Sequence, residues 1–256
     1  MTDTPLSRYT RILEAVAATR QGMTLGMIAD AVDLQPATTH RLVGSLCEIG
    51  LLQRREQTRV YVPRSRMVRL CLTTLTPTSV IDLARPLLRG LVGTFGETAY
   101  LAKLSGAAVE SVAMEVPYST DKAYVQPGRV MPFHASASAR AIAAFQPSDM
   151  VERMLAAPRE RFTADTKVDE AELRAELERA RQQGYATSDN ELDPGILSIA
   201  VPVHSDDWGV VFSIGLLGLA ERLRQQPRTQ LVEALVAASS ALSQQMKAAA
   251  HLAAPI

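Results

Sequence analysis

Residues 24–50 read TLGMIADAVDLQPATTHRLVGSLCEIG. This stretch has the pattern of two short helices separated by a tight turn. Thr24 is a suitable N-cap for the first helix, and the apolar face of that helix recurs at three- and four-residue spacing: Leu25, Ile28, Ala29 and Val32. Pro36 can open the second helix because a first-turn residue needs no N–H, and Gly50 stops that helix.

A further helical pattern lies upstream of this stretch. Its apolar face is Tyr9, Ile12, Leu13 and Val16. Ser7 is its expected N-cap, and Gly22 breaks it. Two helices, a three-residue turn at 33–35 and a third helix have the spacing of a helix-turn-helix. The third helix is then the recognition helix, with an expected inward face of Leu42, Leu46 and Ile49.

The predicted recognition helix combines short polar side chains with one long cation. Small residues allow the backbone to approach DNA, an arginine can form two hydrogen bonds to guanine, and threonine methyls can contact thymine. The expected DNA-contacting residues of the turn and helix are Gln35, Ala37, Thr38, Thr39, His40 and Arg41. A small helical domain with an ordinary polar surface is the alternative that helix spacing leaves open.

Two short strand patterns, 51–55 and 59–63, follow the recognition helix and are joined by Glu56-Gln57-Thr58. A hairpin at this place is typical of the wing of a winged helix. We expect three of its arginines to lie against phosphates and to add salt-dependent affinity without reading bases: Arg54, Arg55 and Arg59.

The charge of the chain is unevenly distributed. Residues 1–80 carry ten arginines, no lysine and six acidic residues, a net charge of +4, whereas the whole chain is neutral. A nucleic-acid-binding module joined to an acidic domain shows such an asymmetry. By itself this charge also fits an ordinary solvated surface.

The remaining pattern predicts a linker and a second domain. We expect a DNA-binding domain over 1–63, a linker helix over 64–78 and an α+β domain over 79–256. The expected helices are 80–95 with Ser79 as cap, 136–145, 170–183 with Asp169 as cap, and 229–250. The expected strands are 98–104, 109–114, 197–204 and 208–217, with turns at Ser105-Gly106 and Ser205-Asp206-Asp207. Helices that flank an antiparallel sheet give this fold class.

Length and cysteine content indicate the class of protein. A chain of 256 residues buries enough surface to fold without a disulfide or a metal. Cys47 and Cys71 match no metal or redox spacing and are expected to be reduced core thiols, which predicts a cytoplasmic location. No apolar run reaches the roughly 18 residues of a membrane span, so no membrane partner is expected. Residues 1–11 are polar, unlike a signal peptide.

The sequence gives little support to an enzyme, a metal site or a cofactor. It contains no nucleophile elbow, P-loop or dinucleotide-binding glycine motif, and its four histidines lack metal-ligand spacing. His134, close to Ser136 and Ser138, is the one candidate for chemistry, and a structural role is expected for it. Glu97 and Glu191 are two carboxylates that an acid/base pair would need. The alternative is a small-molecule-binding enzyme with a vestigial DNA-binding domain.

From about Ser7 to Met246 the chain resembles the IclR family of bacterial transcription regulators. The resemblance rests on ATTHRLV at 37–43, GETAYLA at 96–102, PFHASA at 132–137, and GYATSDNE at 184–191 followed by SIA at 198–200. Four positions depart from the family pattern. Asp33 stands where Gly is usual, Ala139-Arg140 where Gly-Lys is usual, Tyr61-Val-Pro-Arg at the end of the wing, and Ser205 where Asp or Asn closes the signature.

The resemblance implies a winged helix-turn-helix joined to a GAF-like effector-binding domain. It also implies a ligand-responsive regulator, repressor or activator, of a catabolic or metabolic operon. Its expected partners are a palindromic double-stranded DNA operator, a small organic or aromatic acid, and further copies of the chain in a homodimer or homotetramer, with no cofactor.

The pocket positions that the resemblance carries over are Met131, Ala137, Ser138, Ser188, Ser198, Ser213 and Gly215. Such a pocket is rich in hydroxyls and has no obvious buried cation. It suits an oxygen-rich ligand held by neutral hydrogen bonds. Alternatively, these serines satisfy backbone groups, as buried serines commonly do. A regulator without an effector, whose pocket is filled by side chains, also stays open.

Overall fold

The computed structural model describes residues 4–17, 19, 21–55, 57–64, 66–67, 77–119, 123, 125–205 and 209–252. The chain divides into two compact units, one within residues 1–75 and the other within 76–253. Each unit has its own hydrophobic core. Most of the predicted linker helix, at 68–76, lies outside the described residues, as does Glu56 of the wing.

The N-terminal unit is a winged helix-turn-helix. Its elements are α1 (Pro5–Ala17), α2 (Leu25–Val32), α3 (Pro36–Glu48), β1 (Leu52–Arg54) and β2 (Tyr61–Pro63). The two strands pair antiparallel, with Gln53 opposite Val62. The apolar faces predicted for the helices meet in one core that includes Ile12, Val16, Ile28, Val32, Leu42, Leu46 and Leu52.

The ends of α1 and α2 are set by local hydrogen bonds. The Thr24 side chain accepts a hydrogen bond from the Met27 amide at 3.4 Å, so the predicted cap is confirmed. Ser7 was the wrong cap for α1, because the helix already begins at Pro5 and the Ser7 amide donates to Thr4 Oγ1 at 3.2 Å. Asp33 ends α2 in the left-handed conformation, with φ of 49°.

The wing is anchored by a backbone bridge to the segment before α2. The Met23 amide donates to the Tyr61 carbonyl at 3.1 Å, and the Tyr61 amide donates to the Met23 carbonyl at 2.7 Å. Gly22 makes this approach possible. Its φ is +79°, and a Cβ there would lie 2.6 Å from Val62 Cγ1 and 2.7 Å from the Tyr61 oxygen.

The C-terminal unit is an antiparallel sheet flanked by helices, as predicted. Its helices are α4 (Pro77–Phe95), α5 (Ala137–Ala143), α6 (Ser148–Leu155), α7 (Glu170–Gln183), α8 (Ala220–Gln225) and α9 (Arg228–Leu252). Its strands are β3 (Thr98–Ser105), β4 (Ala108–Glu115), β5 (Val130–Met131), β6 (Ala186–Asp189), β7 (Ile196–Ser205) and β8 (Gly209–Leu219). Among the described residues these strands form one sheet in the order β5-β4-β3-β8-β7-β6.

Long elements follow the predicted pattern more closely than short ones. Helix α7 has the predicted bounds, and the Asp169 side chain caps it by accepting from the Glu172 amide at 3.0 Å. Ser79 was wrong as the cap of α4, because that helix begins at Pro77. Four short elements had no sequence prediction: β5, β6, α6 and α8. The predicted turn at Asp206-Asp207, and Trp208 of the following strand, lie outside the described residues.

Helix α9 packs along strand β7 and bonds to its backbone. Strand β6 pairs with β7 only as far as Ala200. Beyond that point Ser239 Oγ donates to the Pro202 carbonyl at 2.7 Å, and Ser243 Oγ donates to the His204 carbonyl at 2.5 Å. One turn of α9 separates the two serines, which matches the two-residue spacing of outward carbonyls on a strand.

Among the described residues, no helix combines the length and the apolar character that crossing a membrane requires.

Candidate functional site

The exposed face of α3 carries a cation among small residues. Ala37, Arg41 and Gly44 recur at four- and three-residue spacing and therefore share one face of the helix. Ala37 and Arg41 are exposed, and a Cβ on Gly44 would meet no atom within 4 Å. His40 flanks the face and is also exposed, and Thr38 is half-buried on the other side. The backbone of α3 is thus open to close approach.

Thr39 does not belong to this face. It is fully buried, and its hydroxyl donates to the carbonyl of Gln35 at 3.2 Å. At about 100° per residue, position 39 points away from Ala37, so Thr39 was wrong as a DNA-contacting residue. Ile49 was wrong in the opposite sense, because it is 49% exposed beyond the end of α3, whereas Val43 takes the buried place.

The arginines of the wing are exposed at the surface beside this helix. Arg54, Arg55 and Arg59 are exposed, as is Gln35 at the start of α3. Neither Arg41 nor any of these wing arginines forms an ion pair with another described residue. Their charge is therefore available to an external anion, which is what contact with a phosphate backbone requires.

A small cavity lies on one face of the C-terminal sheet. Strand register places Thr98, Leu217, Ser198 and Ser188 in one row across β3, β8, β7 and β6. The next row on the same face is Tyr100, Gly215, Ala200 and Ala186. The cavity has a volume of about 30 Å³.

Four of the predicted pocket residues line this cavity: Met131, Ala137, Ser188 and Ser198. The two serines among them already have partners. Ser188 Oγ donates to the carbonyl of Ala135 at 2.7 Å, and Ser198 Oγ donates to the carbonyl of Leu216 at 3.2 Å. Both hydroxyls therefore satisfy backbone carbonyls in this structure, as the alternative interpretation expects.

The other three predicted pocket residues lie behind the cavity wall. Ser138 Oγ bonds to Ser136 Oγ at 2.8 Å, and Ser213 Oγ donates to the Ser138 carbonyl at 3.4 Å. Gly215 lies under the ring of Tyr100, and a Cβ on it would lie 2.6 Å from Cζ of that ring. None of the three is among the residues that line the cavity.

Sequence reasoning missed three residues that shape the cavity. Tyr100 is 1% exposed, lines the cavity and lies against Gly215. Arg129 and Asp193 stand at the cavity, both partly exposed, with Arg129 Nη1 3.4 Å from Asp193 Oδ2. Strand register would have placed Tyr100 opposite Gly215, but the register could not be read from a single strand.

A buried ion pair lies next to the cavity, although no buried cation was expected there. Arg140 donates to both carboxylate oxygens of Glu191, one of them at 2.9 Å, and to the carbonyls of His134 and Thr187. Lys167 Nζ bonds to the same carboxylate at 2.8 Å. Burial alone would raise the pKa of Glu191, but the hydrogen bonds and charges of Arg140 and Lys167 outweigh burial and hold it below its usual value.

The remaining candidates for chemistry have structural partners. His134 Nε2 bonds to the Glu160 carbonyl at 2.7 Å, and its ring stacks on Phe162 with centroids 5.6 Å apart. Glu97 accepts from Arg222 Nε at 2.6 Å and from Nη2 at 2.8 Å. Within the part of the chain that the structure describes, no group of three or more His, Cys, Asp or Glu side chains could hold a metal ion.

Two family models match the chain. The IclR helix-turn-helix domain matches residues 5–56, and the C-terminal domain of the bacterial transcriptional regulator IclR matches residues 72–244. The HTH-type transcriptional regulator BhcR of Paracoccus denitrificans is 32% identical over 240 residues, which cover 93% of this chain and 85% of BhcR. The probable transcriptional regulator SauR of Cupriavidus necator is 32% identical over 200 residues, 77% of this chain and 78% of SauR.

Solved structures show the same fold. A putative IclR transcriptional regulator from Silicibacter sp. TM1040 superposes with a TM-score of 0.62 at 26% identity, over 94% of this chain and 95% of that one. An IclR homolog from Microbacterium hydrocarbonoxydans, complexed with 4-hydroxybenzoate, superposes with a TM-score of 0.62 at 23% identity, over 96% of this chain and all of that one.

The family models cover both units, and the relatives named above are transcriptional regulators, which agrees with the expectation that the chain is not an enzyme. Arg41, Arg54 and Arg55 of the first unit and the cavity of the second lie within the two domains that these models describe. This chain belongs to the IclR family of bacterial transcriptional regulators.

Proposed function

We propose that this protein is a ligand-responsive regulator that binds a palindromic operator through α3 and the wing, as a dimer or a dimer of dimers. The observation that carries the proposal is the surface of the first unit. Arg41 stands among small residues on the exposed face of α3, and the wing arginines beside it have no ion-pair partner among the described residues.

The proposed roles of the arginines differ. Arg41, on the recognition helix, reads a base, and Arg54, Arg55 and Arg59 hold the phosphate backbone. A contact to a base edge distinguishes one sequence from another, and a contact to a phosphate does not. These different roles predict that loss of Arg41 weakens specific binding alone, whereas loss of a wing arginine weakens specific and non-specific binding together.

The test is operator binding by the variants Arg41→Ala and Arg55→Ala, with the promoter region that flanks the gene of this protein as DNA. We expect Arg41→Ala to weaken specific binding by about 1–3 kcal/mol and to leave non-specific binding nearly unchanged. Arg55→Ala should weaken both and reduce the salt slope by about one. Arg153→Ala, at an exposed arginine of the other unit, is the matched control. Equal loss of specific and non-specific binding in Arg41→Ala would remove Arg41 from base readout.

The proposed effector is a small organic acid bound at the cavity lined by Ser188 and Ser198. Arg129 supports an anionic ligand, because its partner Asp193 is partly exposed and 3.4 Å away, so that a ligand carboxylate can compete for the guanidinium. The 4-hydroxybenzoate of the Microbacterium homolog serves as the aromatic member of the acids to be tried, and the cavity of about 30 Å³ favours smaller acids. Coupling between such a site and DNA is commonly about 1–3 kcal/mol, or 5- to 150-fold in operator affinity.

A footprint of the promoter region at about 150 mM salt, near physiological ionic strength, tests the effector with a panel of acids graded by size. An acid that strengthens or releases the footprint supports the whole proposal. The cavity volume of about 30 Å³ favours a second candidate, a regulator whose pocket is filled by its own side chains. Specific binding that no acid alters would select that candidate. The absence of specific binding by the folded protein would overturn both.

A further inference from the structure

The side chain of Tyr100 lies on the cavity face of the sheet. Tyr100 lies directly opposite Gly215 in the β3–β8 register, and the next residue of the row, Ala200, is also small. A methyl group on Gly215 would lie 2.6 Å from both Cζ and the hydroxyl oxygen of the tyrosine. Because residue 215 has no side chain, the ring of Tyr100 lies in the space that a side chain there would fill.

The hydroxyl of Tyr100 forms a hydrogen bond with a serine that a ligand would otherwise use. It lies 2.9 Å from Ser198 Oγ, which in turn donates its only hydrogen to the carbonyl of Leu216. Tyr100 is therefore the donor and Ser198 the acceptor. Burial raises the pKa of the Tyr100 hydroxyl, and hydrogen bonds with Ser198 and Ser138 offset only part of that effect. The group stays a neutral phenol, as donation to Ser198 requires.

The space left beside the ring is too small for an aromatic molecule. The cavity measures about 30 Å³. Pockets for drug-sized ligands measure roughly 300–1,000 Å³. An engineered cavity of about 150 Å³, by contrast, is large enough to hold a benzene ring.

We propose that Tyr100 sets the size limit of this pocket. Its phenol ring lies where the ring of an aromatic ligand would lie. Only molecules of a few non-hydrogen atoms can therefore bind beside it. Tyr100 is thus a specificity-determining residue, and Gly215 is the residue that lets the ring lie there. The inference rests on the proposed function in one respect, namely that this cavity is the effector pocket.

The test removes the ring by the substitution Tyr100→Ala and asks whether phenol added to the solution binds in the space that is left. We measure the melting temperature of the full chain with and without phenol for the wild type and for Tyr100→Ala. Phenol should stabilise Tyr100→Ala by about 5 °C at a hundredfold excess over its Kd, and should leave the wild type unchanged. Tyr100→Phe is the matched control, because it keeps the ring and removes only the hydroxyl, and phenol should not stabilise it.

A second variant isolates the contact with Gly215. Gly215→Ala should lower the melting temperature of the wild type, because the new methyl overlaps the ring. In the Tyr100→Ala background the same substitution should cost little stability and should weaken phenol binding. Should Tyr100→Ala fail to fold, Tyr100→Val, which keeps a side chain suited to a strand, carries the same measurements.

The outcomes separate this inference from the proposed function. Stabilisation of the wild type or of Tyr100→Phe by phenol, or its absence in both ring-deleted variants, would overturn the size limit. Phenol that stabilises Tyr100→Ala, with no acid of the panel changing the operator binding of the wild type, would support the size limit and contradict the coupling to DNA. A small acid that releases the wild type from its operator, with no gain of phenol binding in Tyr100→Ala, would do the reverse.

Discussion

The carboxylate of Glu191 shows how much a single buried charge contributes. The side chains of Glu191 and Arg140 are 3% and 1% exposed. The Glu191→Gln variant leaves the guanidinium buried without a full counter-charge, and we expect it to lower the free energy of unfolding by about 3–5 kcal/mol at pH 7. Urea unfolding of both proteins measures this. Glu152→Gln, in an exposed pair with Arg174, is the control and should change stability far less.

The same pair predicts a pH dependence at the residue scale. The pKa of Glu191 is lower in the folded protein than in the unfolded chain. Its contribution is therefore complete above the ordinary carboxyl pKa of about 4.3 and is lost as the pH falls through the lower folded value. The stability difference between wild type and Glu191→Gln should be constant from pH 7 to about 5.5 and should narrow below about 4.3. A difference that widens in acid would contradict this assignment.

At the scale of elements, the end of α2 is strained. Asp33 holds a left-handed conformation that costs an ordinary residue about 1–2 kcal/mol, while a glycine there loses about 0.5–1 kcal/mol of backbone entropy. We expect Asp33→Gly to raise the free energy of unfolding by about 0.5–1 kcal/mol. Asp30→Gly, the same change inside α2, should instead lower it by about 0.5 kcal/mol or less, given the modest propensity of aspartate. Chemical denaturation of both variants checks the pair.

The wing depends on a single glycine in the segment that precedes α2. A Cβ on Gly22 would overlap Val62 and the Tyr61 carbonyl at a positive φ, so Gly22→Ala should break the bridge to β2. We expect lower stability and weaker non-specific DNA binding, because the wing arginines lose their support. Gly26→Ala, where a Cβ meets nothing within 4 Å, should stabilise α2 by about 1 kcal/mol. Unchanged DNA binding in Gly22→Ala would show that the wing arginines do not depend on this backbone bridge.

Local signals in the sequence predicted elements well and side-chain packing poorly. The caps Thr24 and Asp169 were predictable because each bonds to a backbone amide three residues away. Thr39 was misplaced because the outward face of α3 was taken as a consecutive run, whereas a helix turns by about 100° per residue. The occupation of the pocket by Tyr100 depends on its pairing with Gly215, more than one hundred positions along the chain, which no local pattern contains.

At the scale of the whole molecule, the proposed symmetric assembly predicts a defined operator geometry. Two recognition helices of a dimer contact half-sites about 34 Å apart, one turn of DNA, or a multiple of that. An insertion of five base pairs between the half-sites should abolish high-affinity binding, because it rotates one half-site by half a turn. An insertion of ten base pairs restores the rotation and is the control. Equal binding to the natural and five-base-pair operators would favour independent monomers.

The serines of α9 and the proline of β7 have a consequence for how copies of the chain meet. Past Ala200, strand β7 has lost its β6 neighbour and would offer free backbone groups to any extended peptide. Pro202 has no N–H to offer, and Ser239 and Ser243 already bind the carbonyls of Pro202 and His204. These contacts occupy two carbonyls, and the proline removes one amide, at the margin where an added strand would bind, so we expect this stretch to resist strand addition by another copy of the chain.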